Sequence, residues 1–264
     1  MLYEGLQEKE TAYHLSGLMC PYHRTEIFDH IRQALRCGKP CRVISTQLVE
    51  AGVDVDFPAV FRAAAGIDSL AQAAGRCNRE GIMPEAGQVF FFTPLAGLPI
   101  GYLRQTAQTA ESVMRHHEDP LSLEAVYEYF QSLYWLRGDK LDAYQILKDL
   151  LEGSRLGDFP FRVVAEKYRI IRDRMEPIII PWNHEARGII NELTYSSQPG
   201  FSARRAQRYT IHIPPRVLYS LEAAGSAIRI REQYCVLANM DLYRDDTGLC
   251  VEDPSFREVE GLIV

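Results

Sequence analysis

The sequence predicts an α/β protein: a parallel sheet covered by helices, then a helical connector, then a smaller α+β region. Three observations carry that expectation. Between about residues 11 and 95, short β-branched or aromatic runs alternate with helical patterns, which is how a parallel sheet with crossover helices reads. From 94 to 157 the apolar spacing is helical throughout. After Asp158-Phe-Pro160, strand-like and helical runs mix again. We expect the parts to be 1–95, 96–157 and 158–264, in a chain whose 264 residues alone suggest two domains.

Taken in order, residues 2–9 read as the end of a helix leading to a short strand near Tyr13, with no strand before it. The sheet is therefore expected to lack its first strand. Residues 41–46, 59–63 and 88–93 are strand-sized runs bounded by Gly, Pro or Asp. Between the last two lies Asp68-Ser-Leu-Ala-Gln-Ala-Ala-Gly-Arg-Cys-Asn-Arg79, alanine-rich with Asp68 as an N-cap, which predicts one helix of about three turns. Helices are expected over 103–117, 123–136 and 140–151, with Glu111, Glu118, Asp119, Glu124 and Glu128 on their surfaces. A basic helix follows over 162–174, with Val163, Val164, Ile170 and Ile171 on its buried side. Then come a strand at 178–180, a helix at 184–193 and a strand-like run at 209–213. Trp135, Trp182 and the fourteen tyrosines read as core or partly buried residues and not as binding hot spots.

Composition narrows the class. Apolar residues at 47% and charged residues at 24% suit a chain with a buried core, which excludes wholesale disorder. No apolar run reaches the length of a membrane span, and residues 1–10 lack the basic, apolar and small-residue segments of an export signal, so we expect a cytoplasmic protein with no membrane contact. Cysteines 20, 37, 41, 77, 235 and 250 include no Cys-x-x-Cys pair, which points to reduced thiols and no metal site. The net charge of −6 argues against coating nucleic acid with the whole surface, while leaving room for a local basic groove.

Two constellations carry chemistry. Within the predicted helix, Gln72, Arg76 and Arg79 fall on one stripe, with Gly75 leaving space beside it. Arginine stays charged and donates in a planar fork, so such a pair suits a transferring γ-phosphoryl group; it also fits a plain helix end, where cations meet the macrodipole. In Ser45-Thr-Gln-Leu-Val-Glu-Ala-Gly-Val-Asp54, a strand ends in a hydroxyl pair and the chain returns through a glycine to an acid. Ligands bind at strand ends in such sheets. Ser45 and Thr46 suit a nucleic-acid phosphate, Gly52 a close backbone approach, and Asp54 a ribose hydroxyl or metal-bound water; a helix cap, a turn and a solvated acid are the plainer readings. Arg204, Arg205, Arg208 and Arg216 occur with Tyr209 and no intervening acid, a pattern for a DNA-tracking groove in which the aromatic face stacks a base, or for a solvated loop.

Ser45-Thr46 through Gly52-x-Asp54, followed by Gln72-x-x-Gly75-Arg76-x-x-Arg79, resembles motifs V and VI of the second RecA-like domain of superfamily 2 helicases. More narrowly, His14-Leu-Ser-Gly-Leu-Met-Cys-Pro-Tyr-His-Arg24, the 68–79 phrase and Gln207-Arg-Tyr-Thr210 resemble the CRISPR-associated helicase-nuclease of type I systems, of subtype I-C. The resemblance implies an incomplete RecA-like domain over 1–95 and an ATP-driven motor on single-stranded DNA. It implies partnership with a guide-RNA surveillance complex, and a separate metal-dependent nuclease domain. Carried over by residue, Arg76 and Arg79 become the arginine-finger pair, Gln72 and Gly75 nucleotide contacts, Gly52 and Asp54 the nucleotide-side loop, and Ser45 and Thr46 DNA contacts. Arg204, Arg205 and Arg208 join them as DNA contacts, on the basic run and not on the motifs. The Cys20-Pro-Tyr-His-Arg24 phrase receives no role beyond opening a helix.

The chain has no Gly-x-x-x-x-Gly-Lys-Ser/Thr loop and no Asp-Glu-x-x box after an apolar strand. The sequence therefore reads as a C-terminal half whose ATP and magnesium are held in the full protein by an upstream helicase and nuclease half. On that reading the chain alone binds no cofactor and has neither ATPase nor nuclease activity. A stand-alone module binding DNA or the surveillance complex, and part of another superfamily 2 repair helicase, are the competing readings.

Overall fold

The computed structural model describes residues 3–6, 10–49, 53–157, 159–168 and 175–254. Its elements run β1 (Ala12–Leu15), α1 (Pro21–Arg36), β2 (Arg42–Ser45), β3 (Ala59–Ala63), α2 (Ile67–Ala74), β4 (Gln88–Phe92), α3 (Tyr102–Met114), α4 (Leu123–Arg137), α5 (Ile146–Leu156), α6 (Phe161–Lys167), β5 (Glu176–Ile179), α7 (His184–Tyr195), α8 (Gly200–Ala206), β6 (Thr210–Ile213), α9 (Pro215–Ala223), β7 (Ala227–Ile230), β8 (Tyr234–Leu237), β9 (Tyr243–Arg244) and β10 (Gly248–Leu249). The chain is a mixed α/β protein, as its alternating runs predict. It divides into two compact units: unit 1 comprises Met1–Val49 with Asp173–Val264, and unit 2 comprises Glu50–Arg172. Unit 1 is thus built from two stretches distant in sequence, whereas the expected parts follow chain order. The parallel strands form two ladders, β1 with β2 in unit 1 and β3 with β4 in unit 2.

In unit 1, a four-stranded sheet runs β6-β5-β8-β7, with β5 and β8 parallel and the outer pairs antiparallel. The core collects Ile178, Ile211, Ile213 and Val236 from strands, Ala186, Ile189 and Leu193 from α7, and Leu218 and Leu221 from α9. Residues 186, 189 and 193 repeat at three and four, the spacing that lays one helix face on a sheet.

Cys20, at the start of α1, belongs to the same core. Pro21 opens the helix at a position where a missing N–H costs nothing. The Cys20 N–H donates to the Tyr243 hydroxyl at 2.9 Å, and that hydroxyl lies 3.1 Å from His23 Nδ1. His23 Nε2 lies 2.9 Å from the Asp245 carbonyl, which can only accept. Nε2 therefore carries the proton, and Tyr243 donates to Nδ1. The His23 ring stacks on Trp182 at 4.0 Å, whose indole N–H donates to Glu26 at 2.8 Å. The phrase at 20–24, to which the sequence assigns no role beyond opening a helix, ties the N-terminal stretch to strands more than 200 residues away.

Burial pulls the affinity of His23 for a proton below its ordinary value, against the Asp245 carbonyl and the charges of Glu26 and Asp245. His14, buried on β1, is lowered by burial in the same way, against Asp246 and Glu4. A folded state that binds protons less readily than the unfolded chain keeps this contribution above the unfolded value of about 6.5, and loses it as pH falls through the lowered folded values. We expect the melting temperature to be flat above about pH 7 and to fall toward pH 5. His23→Gln, lacking a titrating ring, should flatten part of that fall in a calorimetric pH series.

In unit 2, α2, α3 and α4 enclose Ile67, Ala110, Val113, Ala125, Tyr129 and Leu133. Ser122 caps α4 by accepting from the Ala125 N–H at 3.2 Å. The buried Tyr129 hydroxyl donates to Asp68 at 3.2 Å, and burial, then the Asp68 charge, pushes that hydroxyl well above its usual range.

Several expectations change. Of the expected helix end at 2–9, residues 3–5 form a turn, while residues 2 and 7–9 lie outside the described residues. Asp68 lies inside α2, whose N-cap is Gly66, because the Asp68 carboxylate serves Tyr129 instead. The expected helix at 140–151 is a 3-10 turn over Gly138–Asp142 followed by α5, with Asp142 accepting from the Ile146 N–H at 2.7 Å. The basic helix is described only as α6, which buries no residue; Val163 is exposed, and residues 169–174, among them Ile170 and Ile171, lie outside the described residues. Trp135 is 81% exposed because α4 turns Ala125, Tyr129 and Leu133 inward and leaves residue 135 on another face. Tyr209, offered for stacking on a base, is fully buried in the unit 1 core with its hydroxyl on Glu185 at 2.9 Å.

Candidate functional site

The stripe of Gln72, Arg76 and Arg79 is not helical throughout. Helix α2 ends at Ala74, with Gly75 as C-cap. Beyond it, backbone bonds from the Phe57 N–H to the Arg76 carbonyl at 2.9 Å and from the Asn78 N–H to the Phe57 carbonyl at 3.0 Å pull the chain into an extended bridge. Asn78 then takes a left-handed conformation, φ 47°, which asparagine tolerates better than most residues. A helix cannot continue through either feature, so Arg76 and Arg79 stand on the turn after α2 and Gln72 on its exposed flank. A Cβ at Gly75 would meet only the Ala71 and Gln72 carbonyls at an ordinary 3.5 Å, so Gly75 ends the helix and clears no special space.

Asp56 organises this turn. Its carboxylate accepts from the Arg79 N–H at 2.7 Å and the Glu80 N–H at 3.1 Å. Asn78 accepts from the Met83 N–H at 3.1 Å and donates to the Glu85 carbonyl at the same distance. The Cys77 thiol donates to the Gln88 carbonyl at 3.3 Å, and burial, then the Asp56 charge, pushes its pKa up. It therefore stays a thiol that donates. Gly87 is required because a Cβ there would lie 2.5 Å from the Cys77 sulfur.

Onto this frame the two motifs converge. Arg79 Nη1 donates to Asp54 Oδ1 at 2.6 Å, joining residues 25 apart in sequence. The side chains keep 40% and 76% of their exposure, so the pair is a surface contact worth about 0–1 kcal/mol. An anion of higher charge reaching this surface can take the guanidinium at small cost. Arg76 is half-buried on the same turn. Gly52 lies outside the described residues. Ser45 and Thr46 belong to unit 1: Ser45 ends β2 with a buried hydroxyl that has no hydrogen-bond partner among the described residues, and Thr46 is exposed with its N–H on the Leu15 carbonyl at 3.2 Å.

Also in unit 1, the three basic residues differ from one another. Arg205 lies within 3.2 Å of Glu192 and 3.5 Å of Glu185, while Arg204 and Arg208 are exposed. Sequence reasoning missed Asp56, Cys77 and Asn78 as the builders of the turn. The acid repeat Asp54-Val-Asp56 was the available signal, since alternate residues of an extended segment share a face. We expect Asp56→Ala to speed amide exchange at Arg79 and Glu80, because losing a carboxylate that caps two N–H groups costs about 1–2 kcal/mol locally. Hydrogen exchange followed residue by residue checks this.

Comparison with known proteins finds a family match over the first part of the chain and several relatives. Residues 2–82 match the family described as CRISPR-associated nuclease/helicase Cas3, C-terminal, a stretch that includes both motif segments. A CRISPR-associated nuclease/helicase Cas3 from Haloferax volcanii is 28% identical over 183 residues, covering 59% of this chain and 19% of that relative. Among solved structures, T. fusca Cas3 aligns over 81% of this chain and 30% of its own, with 17% identity and a TM-score of 0.48. One described as a CRISPR RNA-guided surveillance complex, pre-nicking, aligns over 81% of this chain and 31% of its own, with 17% identity and a TM-score of 0.45. The chain spans about a fifth of the length of the curated relative. No helix of the described residues is long and apolar enough to cross a membrane.

Proposed function

We propose that this chain, related to the C-terminal region of the Cas3 nuclease/helicases, is the part of an ATP-driven single-stranded-DNA translocase that supplies the arginine side of the ATP site. The observation that carries the reading is the meeting of Asp54 and Arg79 on a turn braced by Asp56, inside the segment that matches the family. A guanidinium fixed at its backbone but resting on an exposed carboxylate is oriented without being consumed. When a nucleotide arrives, Arg79 transfers from Asp54 to the terminal phosphate. Arg76 flanks it, and charge that grows on the equatorial oxygens during transfer is stabilised. Gln72, Gly75, Gly52 and Asp54 are the nucleotide-side residues of this reading. Asp54, released from its ion pair, would accept from a ribose hydroxyl, or from a water on magnesium if the upstream half supplied that ion.

The phosphate cradle and the magnesium ligands have no counterpart among this chain's motifs, so an upstream half holds ATP and magnesium and carries the nuclease. Ser45 and Thr46 contact the DNA backbone at the end of β2, and the basic run of Arg204, Arg205 and Arg208 is the candidate for further DNA contacts. The partners in this reading are single-stranded DNA, the upstream half and a guide-RNA surveillance complex of a type I system, subtype I-C, in the cytoplasm. Association of the purified chain with the upstream half, followed by light scattering, tests the partnership: a complex of the two is expected, and two separate species contradict it. A second reading, a non-catalytic binding module, is favoured by one feature, the occupation of Arg79 by the chain's own Asp54. An ATPase assay of the joined halves separates the two.

A further inference from the structure

The buried Tyr209 leaves the basic stretch of unit 1 without the aromatic face expected of it, and α8 supplies another. Phe201 is 72% exposed, in a segment where no acid occurs between Glu192 and Glu222. Residues 201, 204 and 208 stand three and seven apart along α8 and its 3-10 continuation over Gln207–Tyr209, with Ala206 and Gln207 still helical in backbone, so they share a face about 10 Å long.

The charges on that face are unequal. Glu192 accepts from the Ser202 hydroxyl at 2.6 Å and pairs with Arg205, which Glu185 also approaches. Both nearby acids thus have Arg205 as their cationic partner, whose guanidinium carbon lies 5.8 Å from the Phe201 ring centre. Among the described residues Arg204 and Arg208 are in no ion pair, and Arg208 lies 5.1 Å over the Tyr22 ring, which holds it at the surface. Two arginines outside any ion pair beside a largely exposed ring are complementary to one class of ligand, a polyanion whose units carry exposed π-faces.

We propose that Phe201, Arg204 and Arg208 form a strip for single-stranded nucleic acid, with a base stacked on Phe201 and phosphates on the two arginines, while Arg205 is a structural residue that fixes the strip. This rests on the reading of the chain as part of a single-stranded-DNA motor, and it reassigns which residues of the basic stretch touch the strand. Base stacking accounts for the aromatic residue, and duplex DNA, whose bases are already stacked, has no use for it.

The test is fluorescence anisotropy with the whole 264-residue chain, without ATP, on labelled oligothymidylate of about 20 nucleotides, an abasic strand of the same length and a duplex. Phe201→Ala should weaken oligothymidylate binding roughly five- to 150-fold and leave the abasic strand unchanged, and Phe201→Trp should restore it. Arg204→Ala and Arg208→Ala should weaken both strands, each lowering the salt slope by about 0.7. Thermal melts of the variants confirm that folding is kept. No binding by the unaltered chain, preference for duplex, or equal loss on thymidylate and abasic strands with Phe201→Ala overturns the proposal. Because Arg79→Ala should leave this binding unchanged, failure of the strip and failure of the ATP-site reading are separately visible.

Discussion

Replacing Arg79 with alanine in the full-length protein is expected to lower the single-stranded-DNA-stimulated ATPase kcat by at least about 10³-fold, the usual worth of an arginine finger. Arg76→Ala should have an effect of similar order. The two differ in what else they lose. Arg79 has its backbone N–H on Asp56 and its guanidinium on Asp54, and the Asp54 contact is exposed, so truncation removes little stability. The loss should fall on kcat with KM nearly unchanged, since the interaction strengthens only as charge develops in the transition state. Arg79→Lys should not rescue, because an ammonium lacks the planar fork. Steady-state kinetics of both variants, with melts to exclude unfolding, check this, and a fall of less than about tenfold in both contradicts the arginine-finger role.

Gly248→Ala is expected to be among the most destabilising single-methyl additions in unit 1. Gly248 has φ +81°, where an alanine costs about 1–2 kcal/mol, and its Cβ would lie 2.5 Å from the Leu18 carbonyl oxygen and 2.7 Å from its carbon. Those neighbours are backbone atoms in the segment that leads into α1. They cannot yield by a rotamer change, so β10 must move away and loosen the bond from the Leu249 N–H to the Leu18 carbonyl at 2.9 Å. Adding about 1 kcal/mol for that bond, the total is about 2–3 kcal/mol, which for a unit of this size lowers the melting temperature by roughly 4–12 °C. Calorimetry checks the shift, and a change of under about 2 °C would mean that this junction yields freely.

Much of this was legible in the sequence because it depends on local pattern. Strands at 59–63 and 88–92 and helices α3 and α4 follow from apolar spacing, and Ser122 stands where an N-cap belongs. What sequence could not show depends on pairs of residues far apart. Helix propensity favours 68–79 as one helix, yet the bridge between Phe57 and Cys77 ends it at Ala74, and no local signal announces a partner twenty residues upstream. Tyr209 and Phe201 both lie beside arginines in sequence. Only the sheet decides that Tyr209 turns into the core while Phe201 stays outside. Likewise the 20–24 phrase is interpretable only with Tyr243 and Asp245 beside it. The pairing of Asp54 with Arg79 was approachable, since both residues stood out for their chemistry and only their distance was missing.

The most direct measurement is an ATPase assay on single-stranded DNA with three samples: this chain alone, the upstream half alone, and the two mixed. The account predicts hydrolysis only in the mixture, abolished when the chain carries Arg79→Ala. Hydrolysis by the chain alone, or by the upstream half at a rate this chain does not change, contradicts it.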